Sequence, residues 1–196
     1  MPILPFQPDI FPPGLFELDS TSALALAPAD VPTSPNGRWI AFYTLARREK
    51  ELMRFLTGAA VPFYAPLVRR RIPSPGGRVR VSFVPLFPGY VFSLVDDDQR
   101  RLALTTNTIA RCIPVSDPEE LVRDLRSIRR LITTDAPLTP ESRIDAGHRV
   151  RVRSGPLRGL EGAVIRRGTG ERLVVAVRFL NQGVSMELED VDVERL

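Results

Sequence analysis

The pattern of apolar and polar positions changes at residue 38. Over residues 1–37 no helical or strand period persists, and eight of the nineteen prolines fall in the first 35 residues. Such a segment buries too little apolar surface to offset the entropy of ordering it. We therefore predict a proline-rich, mostly disordered extension over 1–37. Its apolar residues form either a short docking motif or an unselected tail: Ile10, Phe11, Leu15, Phe16 and Leu18.

Residues 38–133 carry alternating strand and helix periods. Strand formers fill 39–45, and Leu52, Met53 and Leu56 follow at helical spacing within a predicted helix at 47–56. Asp117 and Pro118 open the clearest helix, because aspartate caps a helix and proline suits its first position. Further helices and strands are predicted at 96–106 (helix), and at 61–71, 79–84, 85–95 and 109–115 (strands). This pattern predicts an α+β region in which helices cover an antiparallel sheet.

Residues 134–142 lack an apolar period and are predicted to be a linker. In residues 143–196 apolar side chains recur at every second position, the period of a β-strand. Val150 and Val152 alternate with arginines, and three more strands are predicted at 163–168, 173–180 and 184–189. Several short strands in so few residues indicate a small all-β barrel. Gly155, Gly159 and Gly162 are predicted to lie in tight turns that need positive φ.

Composition favours a globular protein without a membrane span. The 196 residues are 43% hydrophobic and 26% charged, and no apolar run is long enough to cross a bilayer. The start of the chain lacks the features of a signal peptide, so we expect a cytoplasmic protein. A single cysteine, Cys112, cannot form an internal disulfide, which agrees with a reducing compartment.

The candidate chemistry argues against an enzyme. No Ser/His/Asp grouping and no phosphate-binding glycine loop is present, and His148 is the only histidine. The acidic triplet Asp96, Asp97 and Asp98 is best explained as a helix cap with solvated charge. We expect no metal and no cofactor.

Charge is concentrated in the middle of the chain. Residues 1–37 hold four acidic residues and no base, whereas residues 38–133 hold 17 basic and nine acidic residues. Residues 143–196 hold ten basic and eight acidic residues. The middle region is therefore the one whose field attracts nucleic acid.

The stretch PLFPGYVF at 85–92 combines two prolines and a glycine with three aromatic rings. Pro88 and Gly89 interrupt a strand ladder and are expected to bring Phe87 and Tyr90 to a shared exposed surface, while Val91 and Phe92 return to the sheet. Exposed aromatic side chains of this kind suit the centre of a protein interface.

These residues resemble those of a known family. Residues 38–133 resemble the N-terminal domain of the NusG/RfaH transcription elongation and antitermination factors, through Trp39, the helix start at 48–50, FYAP at 63–66 and PLFPGYVF at 85–92. Residues 143–196 resemble a KOW domain, through the sequence GHRVRVRSGPLRGLEGAVI at 147–165. Both motifs occur in the family's order and spacing.

The resemblance implies a binding protein. The family's N-terminal domain docks on the clamp helices of RNA polymerase and reaches across the DNA cleft, which favours the pause-resistant enzyme. Contact with upstream or non-template DNA is implied as well. The KOW domain recruits other machinery, either the termination factor Rho or a small-subunit ribosomal protein. We expect a monomer that does not associate with membranes.

The resemblance also assigns site residues. The clamp-helix pocket is Tyr43, Phe87, Pro88 and Tyr90. Nucleic acid or polymerase would be contacted by Arg47, Arg48, Arg69, Arg70, Arg71, Arg78, Arg80, Arg100 and Arg101, the last two departing from the histidine-threonine run of specialised members. The KOW partner surface would comprise Leu157, Arg158, Phe179, Leu180, Asn181 and Gln182, with Leu157 in place of the usual aromatic.

Two alternatives stay open. A KOW-type RNA-binding or ribosome-associated protein that never touches polymerase would bind RNA tightly through residues 143–196. Within the family, the proline-rich extension and the loose match at FLNQGVS (179–185) favour a specialised paralogue over a housekeeping factor. The period of two over residues 143–196 favours a stable barrel over one that refolds into helices.

Overall fold

The computed structural model describes residues 8–17, 37–73, 79–134, 138–141, 148–167, 170–187 and 193–196. The chain divides into two compact units, Met1–Ser116 and Asp117–Leu196. Both contain strands and helices, so the predicted α+β class is confirmed. Within the described ranges, none of the helices has the length and apolar character needed to span a membrane.

The first unit contains two helices and seven strands among its described residues. The helices are α1 (Glu49–Gly58) and α2 (Asp97–Leu104). The strands are β1 (Ile10–Phe11), β2 (Arg38–Thr44), β3 (Phe63–Tyr64), β4 (Leu67–Pro73), β5 (Val79–Pro85), β6 (Tyr90–Val95) and β7 (Ile109–Pro114). Strands β4 and β5 pair as a separate hairpin, as the sequence predicts. The other five form an antiparallel sheet in the order β1-β3-β6-β2-β7.

The main core of the first unit lies between this sheet and helix α1. Leu52, Met53 and Leu56 are fully buried on the helix, at the spacing seen in the sequence. They meet the face of the sheet that carries Phe42 and Val91. Because strand side chains alternate, the opposite face of the sheet carries a different set, which is mostly aromatic.

That opposite face carries an aromatic ladder. Cross-strand register pairs Tyr43 with Tyr90 and Tyr64 with Phe92, so these four side chains share one face of the sheet. Phe16 packs edge-on against Tyr64, with ring centroids 5.1 Å apart. We call these five residues the aromatic ladder. It runs from a buried end at Phe16 and Tyr64 to an exposed end at Tyr43.

The predicted disorder over residues 1–37 is wrong for residues 8–17. Strand β1 adds to the edge of the sheet beside β3, and a 3-10 turn at Leu15–Glu17 follows. Leu15 and Phe16 are buried, which a disordered segment cannot achieve. The sequence pattern could not predict this element, because its strand spans only two residues, which is too few to show a period, and lies in a proline-rich segment. Leu18 and the rest of the extension lie outside the described residues.

The second unit contains helix α3 and a six-stranded antiparallel sheet. The helix, α3 (Pro118–Thr133), begins as predicted, with the Asp117 carboxylate accepting a hydrogen bond from the Glu120 amide at 2.8 Å. The strands are β8 (Thr139–Glu141), β9 (His148–Val152), β10 (Glu161–Arg167), β11 (Gly170–Val177), β12 (Gln182–Glu187) and β13 (Val193–Arg195), in the order β13-β9-β10-β11-β12-β8.

Three local expectations for this unit need correction. The predicted linker 134–142 contains strand β8, which pairs with β12. The predicted strand at 173–180 ends at Val177, and a 3-10 turn covers Arg178–Leu180. Helix α3 groups with this unit, whereas its sequence position suggested the end of the first domain.

Two different physical reasons explain why glycine occupies three positions of this unit. Gly155 and Gly159 adopt φ of +77° and +81°, as predicted for turns. Gly162 does not have positive φ; a Cβ there would lie 2.6 Å from the carbonyl oxygen of Val174 on the neighbouring strand. Its lack of a side chain is required by the close approach of two strands.

Candidate partner-docking site

The exposed end of the aromatic ladder is formed by Tyr43 and Tyr90. Their ring centroids are 5.1 Å apart, and Tyr43 is 39% exposed while Tyr90 is half-buried. The register of β2 against β7 shifts between Tyr43 and Thr44, so the strand pairing becomes irregular directly after Tyr43. Beneath Tyr90, the ring of Phe92 is buried and nearly parallel at 6.5 Å. Tyr90 therefore joins the exposed ring of Tyr43 to the buried ring of Phe92.

The turn before Tyr90 places this pair. Gly89 has φ of +86°, and a Cβ there would lie 2.9 Å from the ring of Tyr43. Glycine is required twice, once for the backbone and once to let the Tyr43 ring lie against the turn. Pro88 is exposed beside them. Tyr43, Pro88 and Tyr90 thus form one exposed surface, which we call the tyrosine surface.

A buried carboxylate holds that turn. Glu49 is 7% exposed, and its Oε1 accepts a hydrogen bond from the Gly89 amide at 2.8 Å. The Gly89 carbonyl oxygen in turn accepts one from the Thr44 amide at 2.7 Å. Both backbone polar groups of Gly89 are therefore bonded, one to helix α1 and one to strand β2. This pair of bonds fixes the tyrosine surface to the core.

Phe87 does not belong to the tyrosine surface. It is only 2% exposed, so the expectation that it shares an exposed surface with Tyr90 is wrong. The neighbouring Leu86 is buried as well, and its amide donates to the Pro66 carbonyl oxygen at 2.8 Å. Proline residues on both sides break the strand alternation, so sequence spacing could not assign the direction of Phe87.

The predicted arginines differ in exposure and in pairing. Arg69 and Arg70 are exposed on opposite faces of the β4–β5 hairpin, and Arg69 shares its face with Phe83, which is 46% exposed. Arg47 is exposed just before helix α1, with φ of +63°. Arg71 and Arg80 lie in the hairpin strands without described side chains, and Arg78 lies outside the described residues.

The remaining predicted arginines are paired with acids. Arg48 forms an ion pair with Glu51. On α2, Arg101 lies 3.0 Å from Asp98 and Arg100 lies 3.6 Å from Asp97. Asp97 also receives a hydrogen bond from Arg38, which lowers the pKa of that carboxyl, with the charges of Arg38 and Arg100 acting in the same direction. The acids therefore partly neutralise the charge of these arginines.

The acidic triplet at the start of α2 behaves as predicted. The Asp96 carboxylate accepts from the Gln99 amide at 2.8 Å, and the Gln99 side chain accepts from the Asp96 amide, completing a capping box. Across the part of the chain that the structure describes, no group of three or more His, Cys, Asp or Glu side chains is placed to hold a metal ion.

In the second unit, the predicted partner surface divides into buried and exposed members. Leu157 is only 5% exposed, so its assignment to a partner surface is wrong. Asn181 is exposed with φ of +51°, and Phe179 and Leu180 are both half-buried beside it. Gln182 opens strand β12. Arg158 is exposed, and its carbonyl oxygen accepts a hydrogen bond from Arg130 of α3 at 2.8 Å.

The contact between α3 and Arg178 could not be predicted from the sequence. The Arg178 amide donates to the Asp124 carboxylate at 2.9 Å, and its guanidinium donates to Glu120 at 2.8 Å. Glu120 and Asp124 lie one turn apart on α3, which is visible in the sequence, but their partner lies more than fifty positions away. Burial raises the pKa of Asp124, and the bond and charge from Arg178 only partly oppose it.

Solved structures resemble this chain, although no protein-family model and no curated protein match it. The chain is similar to NusG over most of its length. The structure concerned, "Domain interaction in Thermotoga maritima NusG", is 20% identical, covers 82% of this chain and 97% of its own, and has a TM-score of 0.43. A second, "Crystal Structure of MjSpt4:Spt5 complex conformation B", is 15% identical and covers 81% of this chain and 97% of its own, with a TM-score of 0.29.

The bond between Glu49 and Gly89 can be tested by stability. Replacement Glu49→Ala leaves the buried Gly89 amide without its acceptor, so we expect the free energy of unfolding to fall by about 1–3 kcal/mol. Glu49→Gln keeps an oxygen acceptor of nearly the same shape and should lose less. Urea unfolding of both variants measures the difference. Equal losses would show that the bond does not hold the turn.

The raised pKa of Asp124 predicts a pH dependence. A carboxyl whose pKa is higher in the folded chain binds its proton more tightly there, so stability falls as pH rises from the unfolded pKa of about 3.9 through the folded one. Asp124→Asn removes this titration. We therefore expect the variant to gain stability relative to wild type between about pH 4 and pH 7, measured by urea unfolding. A relative loss over that range contradicts the raised pKa.

Proposed function

We propose that this protein is a transcription elongation and antitermination factor that binds RNA polymerase through its first unit and recruits other machinery through its second. It acts by binding and carries out no reaction. The observation that carries the proposal is the tyrosine surface, held by the bond between Glu49 and Gly89 at the very motif that resembles the NusG/RfaH family. The resemblance suggests the partner, and the exposure of Tyr43, Pro88 and Tyr90 supports them as the contact residues.

The tyrosine surface has the chemistry of an interface centre. Tyrosine is enriched at binding hot spots, because each ring brings a large apolar area, a polar tip and few rotatable bonds. Here Tyr43 and Tyr90 are already placed by the sheet and the Gly89 turn, so little side-chain freedom is lost on binding. We assign the polymerase clamp helices as the partner. Pro88 completes the contact, and Phe87 supports it from the core.

The basic hairpin would supply a second contact. Exposed arginines give a salt-sensitive attraction to phosphate, and Phe83 on the face of Arg69 offers a ring on which a base can stack. Upstream or non-template DNA is the ligand that the family resemblance implies for this region. Arg47, beside the start of α1, would strengthen the same field. Arg48, Arg100 and Arg101 contribute less because acids neutralise them.

The second unit would carry the recruiting surface on the turn at 179–182. Asn181 projects from this turn, and Phe179 and Leu180 flank it with part of their apolar surface accessible. Such a small mixed surface suits a transient protein partner. The family resemblance implies Rho or a small-subunit ribosomal protein.

We favour a specialised paralogue over a housekeeping factor. The N-terminal extension supports this preference, because residues 8–17 are integrated into the fold and add a surface of their own. Transcript profiling of a deletion strain distinguishes the two roles. Changes confined to one long operon would support the specialised role, whereas changes across the genome would contradict it.

The competing function, RNA binding by the second unit alone, is less well supported. The arginines on and just after strand β9 lie close to acids: Arg151 donates to Glu161 at 2.7 Å, and Arg153, the residue after the strand, lies 3.9 Å from Glu194. Charges that are neutralised within the unit release few counterions from a phosphate backbone. This sheet face is therefore a weak electrostatic partner for RNA.

Polymerase binding should depend on the tyrosine surface. We expect Tyr90→Ala and Tyr43→Ala in the full chain each to weaken binding to core RNA polymerase at least tenfold, about 1.4 kcal/mol, at moderate salt. Their thermal unfolding should change little, because both side chains are partly exposed. Binding is measured by fluorescence anisotropy with labelled protein.

Two matched variants control this experiment. Phe87→Ala empties a buried site and should lower stability by about 3–5 kcal/mol. Leu45→Ala alters a side chain that is 49% exposed outside the tyrosine surface and should leave binding unchanged. Wild-type affinity in Tyr90→Ala would place the polymerase contact elsewhere, or remove the proposed function.

A further inference from the structure

Residues 8–17 lie on the edge of the sheet as a bound peptide would. Strand β1 pairs with β3 through only two residue pairs, Ile10 with Tyr64 and Phe11 with Phe63. One further backbone bond continues this ladder, from the Ala65 amide to the Asp9 carbonyl oxygen at 2.7 Å. Adding a short strand to an open sheet edge is a recurring mode of peptide recognition, in which backbone bonds supply affinity and side-chain pockets supply specificity.

The side chains of this segment fill a groove on the aromatic face. Leu15 is 1% exposed and Phe16 is 4% exposed. The Phe16 ring lies edge-on to Tyr64 at 5.1 Å and nearly parallel to Trp39 at 6.5 Å. Edge-on and offset ring pairs of this kind add attraction beyond the area they bury. Phe16 is therefore the anchor of the segment.

The core cluster between the sheet and α1 forms without this anchor. It draws its buried side chains from α1, α2, the sheet strands β2, β3 and β6, and residues 61–67. Ile10, Leu15 and Phe16 lie outside that cluster, and of the segment only Phe11 packs against it. The pairing of β2 with β6 spans six residue pairs, three times that of β1 with β3. Removing the segment would thus open an edge and a groove on the aromatic face without dismantling that cluster.

We propose that the edge of β3 and the groove at Trp39 and Tyr64 form a peptide-binding surface. It takes a short extended apolar segment followed by a turn that presents Leu-Phe, and the chain fills it with its own residues 8–17. A partner protein that carries the same pattern occupies the surface by displacing this segment. The surface is distinct from the tyrosine surface, and the inference does not depend on the proposed function.

The location of this surface gives displacement a consequence. Tyr64 pairs across the sheet with Phe92, whose ring lies under Tyr90. The groove and the tyrosine surface are therefore opposite ends of one aromatic ladder. When residues 8–17 leave, Trp39 and Tyr64 become accessible on the same face as Tyr43 and Tyr90. A displacing partner would consequently sit beside whatever occupies the tyrosine surface.

The test uses the full chain with a protease site inserted between residues 18 and 36. The protein is folded, cut at that site, and titrated with a labelled peptide of residues 8–17, with binding read by fluorescence anisotropy. We expect saturable binding to cut protein. Binding to uncut protein should be at least tenfold weaker, because a tethered segment competes at an effective concentration on the order of 1 mM.

Two changes identify the contact. A peptide carrying Phe16→Ala should bind cut protein at least tenfold more weakly than the wild-type peptide. Cut protein carrying Phe83→Ala is the matched control, since it loses the same ring from an exposed position on the hairpin, and should bind the wild-type peptide normally. Raising salt should change the affinity less than twofold, because apolar contacts and backbone bonds dominate, unlike the steep loss expected for a nucleic-acid site.

Three results would overturn the proposal. Cut protein that keeps its circular dichroism spectrum yet admits no peptide would show that the segment is a permanent part of the fold. Cut protein that unfolds once the fragment leaves would show the same. Equal binding to cut and uncut protein would place the peptide elsewhere. A dimer of uncut protein that Phe16→Ala abolishes would mean that a second copy supplies the segment, which contradicts filling within one chain.

Discussion

The hydrogen bond from the Gly89 amide to the buried carboxylate of Glu49 is the constraint on which the candidate site depends. It ties the turn before strand β6 to helix α1, and the bond from Thr44 to Gly89 ties the same turn to strand β2. This geometry sets the positions of both tyrosines, because the Tyr43 ring lies against Gly89 and Tyr90 is the next residue in the chain. The surface is thus built by the core rather than by a loose loop.

The aromatic ladder extends this constraint across the sheet. Tyr43 pairs across the strands with Tyr90, and Phe92 pairs across the strands with Tyr64. Tyr90 and Phe92 lie two residues apart on β6, so they connect the two pairs. Phe16 then closes the far end with a residue from the N-terminal segment. One face of the first unit therefore carries both proposed binding surfaces, one open and one filled by the chain itself. The opposite face packs on α1 and supplies the stability that keeps both in place.

Elements with long periods or strong caps could be predicted from the sequence, whereas contacts between distant residues could not. Asp117 and Asp96 predict the starts of their helices because capping is a local interaction. The alternation of apolar and polar residues likewise predicts the basic hairpin. Residues 8–17 escaped prediction because a two-residue strand has no period and its partners lie around fifty positions away. Phe87 and Leu157 were assigned to surfaces although both are buried, since prolines and glycines beside them disrupt the alternation that would fix their direction. Arg178 was missed because its carboxylate partners belong to α3.

The proposed function depends on contact between the tyrosine surface and the clamp helices of RNA polymerase. This contact is tested by placing a photo-crosslinking amino acid at Pro88, which is exposed within that surface, and at Glu187, which is exposed on β12 of the second unit. We expect a crosslink from position 88 to the clamp helices in assembled elongation complexes, and none from position 187. A folded, polymerase-bound protein that crosslinks from position 88 to no polymerase subunit would contradict it.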